Sequence, residues 1–121
     1  MTTLAGARAE LVAAIDAAGM KATDVAGAKP VPYVLVAGAG IDPSRVMVGK
    51  VAATFRAICV AGAWDQAAAV GSLDELKLGV LSVLRGLAGW QLGEVGRDGI
   101  RSFSGSDLLT ADVSATRLID L

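Results

Sequence analysis

From Gly89 to Val113 the chain cannot sustain a helix. Gly89, Gly93, Gly96, Gly99 and Gly105 interrupt it at short intervals, and the residues between them suit strands, among them Trp90, Val95, Ile100 and Leu108 to Val113. Asp98-Gly99 is a strong hairpin signal, because a type I′ turn needs positive φ at both central positions and these two residues tolerate it. Two strands joined at that dipeptide are therefore expected. A turn at Gly105-Ser106-Asp107 then leads to a last strand over 108–118.

Upstream, two helical patterns alternate with two strands. Leu4, Leu11, Val12 and Ile15 fall on one stripe over 3–18, with Thr2 or Thr3 able to cap the start and Gly19 able to stop it. Pro30-Val31-Pro32-Tyr33-Val34-Leu35-Val36-Ala37 reads as a mostly buried strand over 32–37, its prolines confined to the beginning. Gly38 to Ser44 combines two glycines with Asp42-Pro43-Ser44 and is expected to be a protruding loop. A longer strand follows over 47–60, with Val51, Ala53, Phe55, Ala57 and Cys59 on a core face. Lys50, Ala52, Thr54, Arg56 and Ile58 make the other, partly exposed face.

Ser72-Leu73-Asp74-Glu75 has capping-box spacing, which places a helix over 73–88 with Leu73, Leu76, Val80, Val83, Leu84 and Leu87 in one stripe. Gly86 and Gly89 end it near Trp90. The order helix, strand, strand, helix, strand, strand, strand lacks βαβ regularity. It predicts an α+β fold: a mixed or mainly antiparallel sheet of about four to five strands with two helices packed on it. At 121 residues, without internal repeats or a low-complexity linker, the chain suits one domain over 1–121.

Composition excludes several classes of function. Hydrophobic residues make up 54% but aromatic ones only 4%, so the core must be built from small and aliphatic side chains, and association with other copies often supplies what such a core lacks. Mean hydropathy is +0.58, yet the longest uncharged stretch, Pro30 to Ile41, is too short for a membrane-spanning helix and is broken by Pro and Gly. Met1-Thr2-Thr3 leads straight into an amphipathic pattern, so a cytoplasmic site of synthesis is expected. A net charge of −1 with interleaved signs offers no basic field for sequence-specific nucleic-acid binding. There is no histidine, which removes the usual general base and metal ligand.

The remaining chemical motifs have plainer readings. Val34-Leu35-Val36-Ala37-Gly38-Ala39-Gly40 opens like a dinucleotide fingerprint, but the third glycine position is Pro43 and a strand follows. Gly49-Lys50 resembles the end of a phosphate-binding loop, but Ser44 and Val51 stand at the other diagnostic positions. Asp74 and Glu75 are neighbours that point apart on a helix and serve its N-terminus. Cys59, the single cysteine, sits in an apolar strand with no base to activate it and reads as a buried small hydrophobe. Trp64 and Trp90 flank the second helix and are expected to pin it to the sheet, with subunit contact as the alternative. No catalytic residue, metal site or cofactor is expected, and the chain reads as a non-enzyme.

Taken together, the leading amphipathic helix and the strand Pro30 to Val36 form a pattern with Val51 to Val60 and its continuation Ala61-Gly62-Ala63-Trp64-Asp65. The Leu73 to Leu87 helix, Gly89-Trp90, and Gly105 with Leu108 to Val113 complete it. This pattern resembles the tail terminator proteins of long-tailed bacteriophages, the lambda U-like family, in particular its forms in phages of actinobacteria. The resemblance covers nearly the whole chain. It implies a structural virion protein, assembled in the host cytoplasm, that forms a hexameric ring on the head-proximal end of the tail tube. Such a ring ends tube polymerisation and provides the joint to the head. The implied partners are further copies of the chain, the tail tube protein and a neck or head-completion protein, with DNA free to pass through the lumen. The alternatives are a neck or head-closure protein, a small nucleotide-binding domain using Gly38 to Ser44, and an enzyme subunit completed by a partner chain. Ring or tube contacts are expected at Ile41, Asp42, Arg45, Val46 and Met47, with Arg97, Asp98 and Arg101 as a second patch.

Overall fold

A computed structural model describes residues 2–25, 30–47, 49–103 and 105–121, and for 39 and 43–47 the backbone path alone. The elements are α1 (Leu4–Ala17), β1 (Ala22–Thr23), β2 (Tyr33–Met47), β3 (Lys50–Ala63), α2 (Ala67–Gly86), β4 (Trp90–Val95), β5 (Gly99–Phe103) and β6 (Ser106–Asp120). The α+β class and the two helices packed on a sheet match expectation. The sheet is larger than expected, with six strands among the described residues in the order β1-β2-β3-β6-β4, and β5 also paired to β6. Among the described residues β1 runs parallel to β2, which makes the sheet mixed, and the other pairings are antiparallel.

Thr3 caps α1, its hydroxyl accepting from the Gly6 N–H at 3.0 Å, and Gly19 follows the helix with φ of 93°. Ala7, Leu11 and Ile15 are buried, whereas Leu4 at the open end is not. In α2 the capping box does not start the helix. Ala67, Ala68 and Ala69 extend it a turn and a half upstream of Ser72, as alanine's high propensity allows, and burial of Ala69 continues the stripe Leu73, Leu76, Val80, Leu84.

One face of the sheet carries both helices. Val34, Val36, Val51, Ala53, Phe55, Ala57, Cys59, Ala111, Val113, Ala115 and Ile119 meet the helix stripes there in one core. Alternation along β3 therefore reads as expected on this face. The opposite face is less exposed than the residue types suggest: Ala52 and Ile58 are buried, and Ile58 joins Tyr33, Leu35 and Val60 in a second apolar cluster that Phe103 and Leu108 flank.

Two expectations about turns are overturned. Residues 38–44 are not a loop, because β2 continues through them to Met47. Pairing with β3 supplies the backbone hydrogen bonds, and the glycines and proline are absorbed as register shifts between Ala37 and Gly40 and between Asp42 and Val46. Bulges at an edge accommodate such residues at little cost. Asp98-Gly99 is not a hairpin, because β4 and β5 do not pair with each other. Both pair with β6, as two pieces of one interrupted strand, and Gly99 has no positive φ. The reversal comes instead between β5 and β6, where Gly105 has φ of 81°.

The chain ends meet at the foot of the sheet. The Thr2 N–H donates to the Asp120 carboxylate at 2.6 Å, the Asp120 N–H donates to the Thr2 carbonyl at 2.9 Å, and Lys50 Nζ lies 3.7 Å from Asp120. The Thr2 hydrogen bond, helped by the Lys50 charge, outweighs partial desolvation and holds the Asp120 carboxyl below its usual pKa. A depressed folded-state pKa contributes stability that is present above the unfolded value of about 3.9. That contribution is lost as pH falls through the folded value. The unfolding midpoint should thus drop below about pH 4 more steeply in the wild type than in Asp120→Asn, measured by urea titration across that range. Parallel curves would remove Asp120 from the acid transition.

Candidate assembly surfaces

Two edges of the sheet are open among the described residues. On one side β1 pairs with β2 only at Val34 and Leu35, so beyond that point no described strand flanks the outer side of β2. On the other side β4 and β5 pair only with β6. The expected contact residues divide between these edges. Ile41 and Asp42 lie on the part of β2 that β1 does not reach, Ile41 being 51% exposed, and Arg45, Val46 and Met47 continue the same strand, though their side chains lie outside the described residues. Arg97, Asp98 and Arg101 lie at the β4–β5 break on the opposite edge.

The second patch is not a set of free charges. Asp98 accepts from Lys77 Nζ at 2.7 Å, which ties the break to α2 and, with Asp74 nearby, raises the Lys77 pKa. Arg101 Nη2 donates to Asp112 at 2.7 Å, and Arg56 lies 3.6 Å from the same carboxylate. Arg97 is exposed and has no ion pair among the described residues.

A feature missed from the sequence is an apolar cleft between α2 and β4. Leu92, Val95 and Ile100 pair with Ala115, Val113 and Leu109, so they share the helix-bearing face, yet they lie beyond the cover of α2 and remain exposed. Leu78, 67% exposed, stands beside them, and Asp74, Lys77, Leu78, Leu81 and Val95 line a hollow of about 360 Å³. The available signal was Leu78, an apolar residue off the Leu73–Leu87 stripe.

The tryptophans behave differently from each other. Trp90 is buried against Phe55, ring centroids 5.5 Å apart, and its indole N–H donates to the Glu10 carboxylate, linking α1 to the start of β4. Trp64 is 53% exposed and is not part of the core that Trp90 joins. Cys59 is buried in the core, where desolvation pushes its thiol up to about 12. Gly38 and Gly40 sit within a strand rather than before a helix, and Lys50 begins β3 opposite Asp120, so neither glycine motif forms a phosphate cradle. Among the described residues there is no cluster of three potential metal ligands, and no helix is long and apolar enough to cross a membrane. No family model matches the chain, and no curated protein matches it.

Proposed function

We propose that this chain is a structural virion subunit, a tail terminator that assembles as a ring on the head-proximal end of the tail tube of a long-tailed phage. The observation that best supports the reading is the pair of open sheet edges. From β2 through β3 and β6 to β4 each neighbour is antiparallel, so β2 and β4 run in opposite directions. Copies related by rotation about an axis along the strands therefore bring the β4 edge of one beside the β2 edge of the next as an antiparallel pair. The outer sides of both edges, which no described strand flanks, gain a strand partner, and a heterologous contact of this kind closes into a ring when the rotation divides the circle.

The resemblance described above implies six copies and, as partners, the tube and neck proteins. A ring whose lateral edges are consumed by its own closure offers only its two ends to other proteins. One end matches the last ring of the tube, and the other serves the neck, so tube growth stops. Phage lacking this chain should produce overlong tubes without heads in negative-stain images. Tubes of normal length that fail to join heads would overturn the terminator reading in favour of a neck protein.

A further inference from the structure

Among the described residues, Arg8 and Glu94, at opposite sides of the molecule, are charged side chains with no ion pair. Arg8 projects from α1 towards the part of β2 that β1 does not reach, where its guanidinium lies 3.1 Å from the position a Gly38 Cβ would occupy. Its Nε is shut off from solvent with no hydrogen-bond partner, and Arg8 forms no ion pair among the described residues. A guanidinium donor held in such a place without an acceptor is a costly arrangement for a monomer. Glu94 lies on β4 at the far edge. Its backbone N–H donates to the Ser114 hydroxyl at 2.7 Å and its carbonyl accepts from that hydroxyl at 3.3 Å, while its carboxylate has no ion pair among the described residues.

The two charges stand at the same height. Ala37 pairs with Arg56, Arg56 pairs with Ser114, and Ser114 holds Glu94, so one row across the sheet runs from the start of the open β2 edge to the open β4 edge. We infer that Arg8 of one copy binds Glu94 of the next across the boundary between copies, and that the α1 carrying Arg8 covers the α2–β4 cleft of its neighbour. This rests on the ring reading above, which sets β4 beside β2. The charges are opposite in sign, the row matches in height, and beside Glu94 the apolar side chains Leu81 and Val95 line one hollow and Leu81 and Leu92 the adjoining one, surface that a second copy would remove from water. Of the other charges of this edge, Asp98 and Arg101 are already held by Lys77 and Asp112, and Arg97, which is not, carries the same sign as Arg8 and cannot take the place of Glu94 as the acceptor.

The test is a charge swap in the full chain, read as the mass distribution by analytical ultracentrifugation over a concentration series. Arg8→Glu and Glu94→Arg should each raise the concentration needed for assembly by about tenfold or more, as expected when one partner of an interfacial charge pair meets a like charge. The double variant R8E/E94R should return to within about threefold of the wild type. Arg8→Gln and Glu94→Gln should fall between, and unchanged circular dichroism in all variants keeps the readout on assembly. If the wild type assembles only on tubes, the same variants are scored by tail length after complementing phage that lack the chain. Single variants that assemble like the wild type, or a double variant no better than the singles, would overturn the pair. The ring reading fails separately, if the wild-type chain forms no ring either in solution or on tails.

Discussion

Phe55→Ala is expected to destabilise the chain by about 3–5 kcal/mol, the usual range for removing a buried phenylalanine when the surroundings collapse only partly. Phe55 is fully buried at the centre of β3, on the face that meets both helices, and its ring packs at 58° against Trp90. Apart from Trp90 and Cys59 the core around it is made of Ala, Val, Leu and Ile, whose side chains are too small to fill the space it leaves. Set against a total of about 5–15 kcal/mol for a domain, this is a large fraction. Urea unfolding followed by circular dichroism should show the midpoint falling with little change in slope. Trp90 should report the same loss, because its indole would gain water on the Phe55 side. A midpoint within about 1 kcal/mol of the wild type would mean that the core is not centred on this pair.

Gly89→Ala should cost about 3 kcal/mol, more than a positive φ alone explains. Gly89 has φ of 85°, and a Cβ built there runs into the Arg117 guanidinium, which also lies within ion-pairing distance of Glu10. Gly19 is the natural control, with φ of 93° and nothing within 4 Å of an added Cβ. Gly19→Ala should therefore cost only the backbone penalty of about 1–2 kcal/mol. In an Arg117→Ala background the cost of Gly89→Ala should shrink towards that of Gly19→Ala, a coupling of about 1 kcal/mol in a double-mutant cycle. Additive effects would show that Arg117 moves aside freely and that φ alone sets the requirement for glycine.

The helices and the core face of β3 were legible in the sequence because each depends on a short period. Leu11 and Ile15 in α1, Leu73 to Leu84 in α2, and Val51 to Cys59 in β3 bury the sides that spacing assigns them. The turns were less legible. Asp98-Gly99 has the composition of a hairpin, but β6 is long enough to pair with the chain on both sides of it, and Lys77 on α2 takes the aspartate. Gly38 to Ser44 has the composition of a loop, but β3 holds it in the sheet. In both cases a distant strand supplied hydrogen bonds that local propensity could not anticipate.

Which of the candidate contact residues are exposed depends on the same distant pairings. Ile41 and Arg97 are available at the surface, whereas Asp98 and Arg101 are engaged within the chain by residues far away in sequence. Arg8 and Glu94 looked like ordinary surface charges, since nothing near either in sequence distinguishes it.

By itself, the sequence determined the class of the fold, the two helix stripes, the small aliphatic core and the lack of histidine chemistry, because these follow from composition and from periods of two and 3.6 residues. Only the tertiary structure decided which strands are neighbours, which edges stay open, and that β2 and β4 run in opposite directions at the two sides of the sheet. Strand order depends on pairings between residues far apart in the chain, which no local period records.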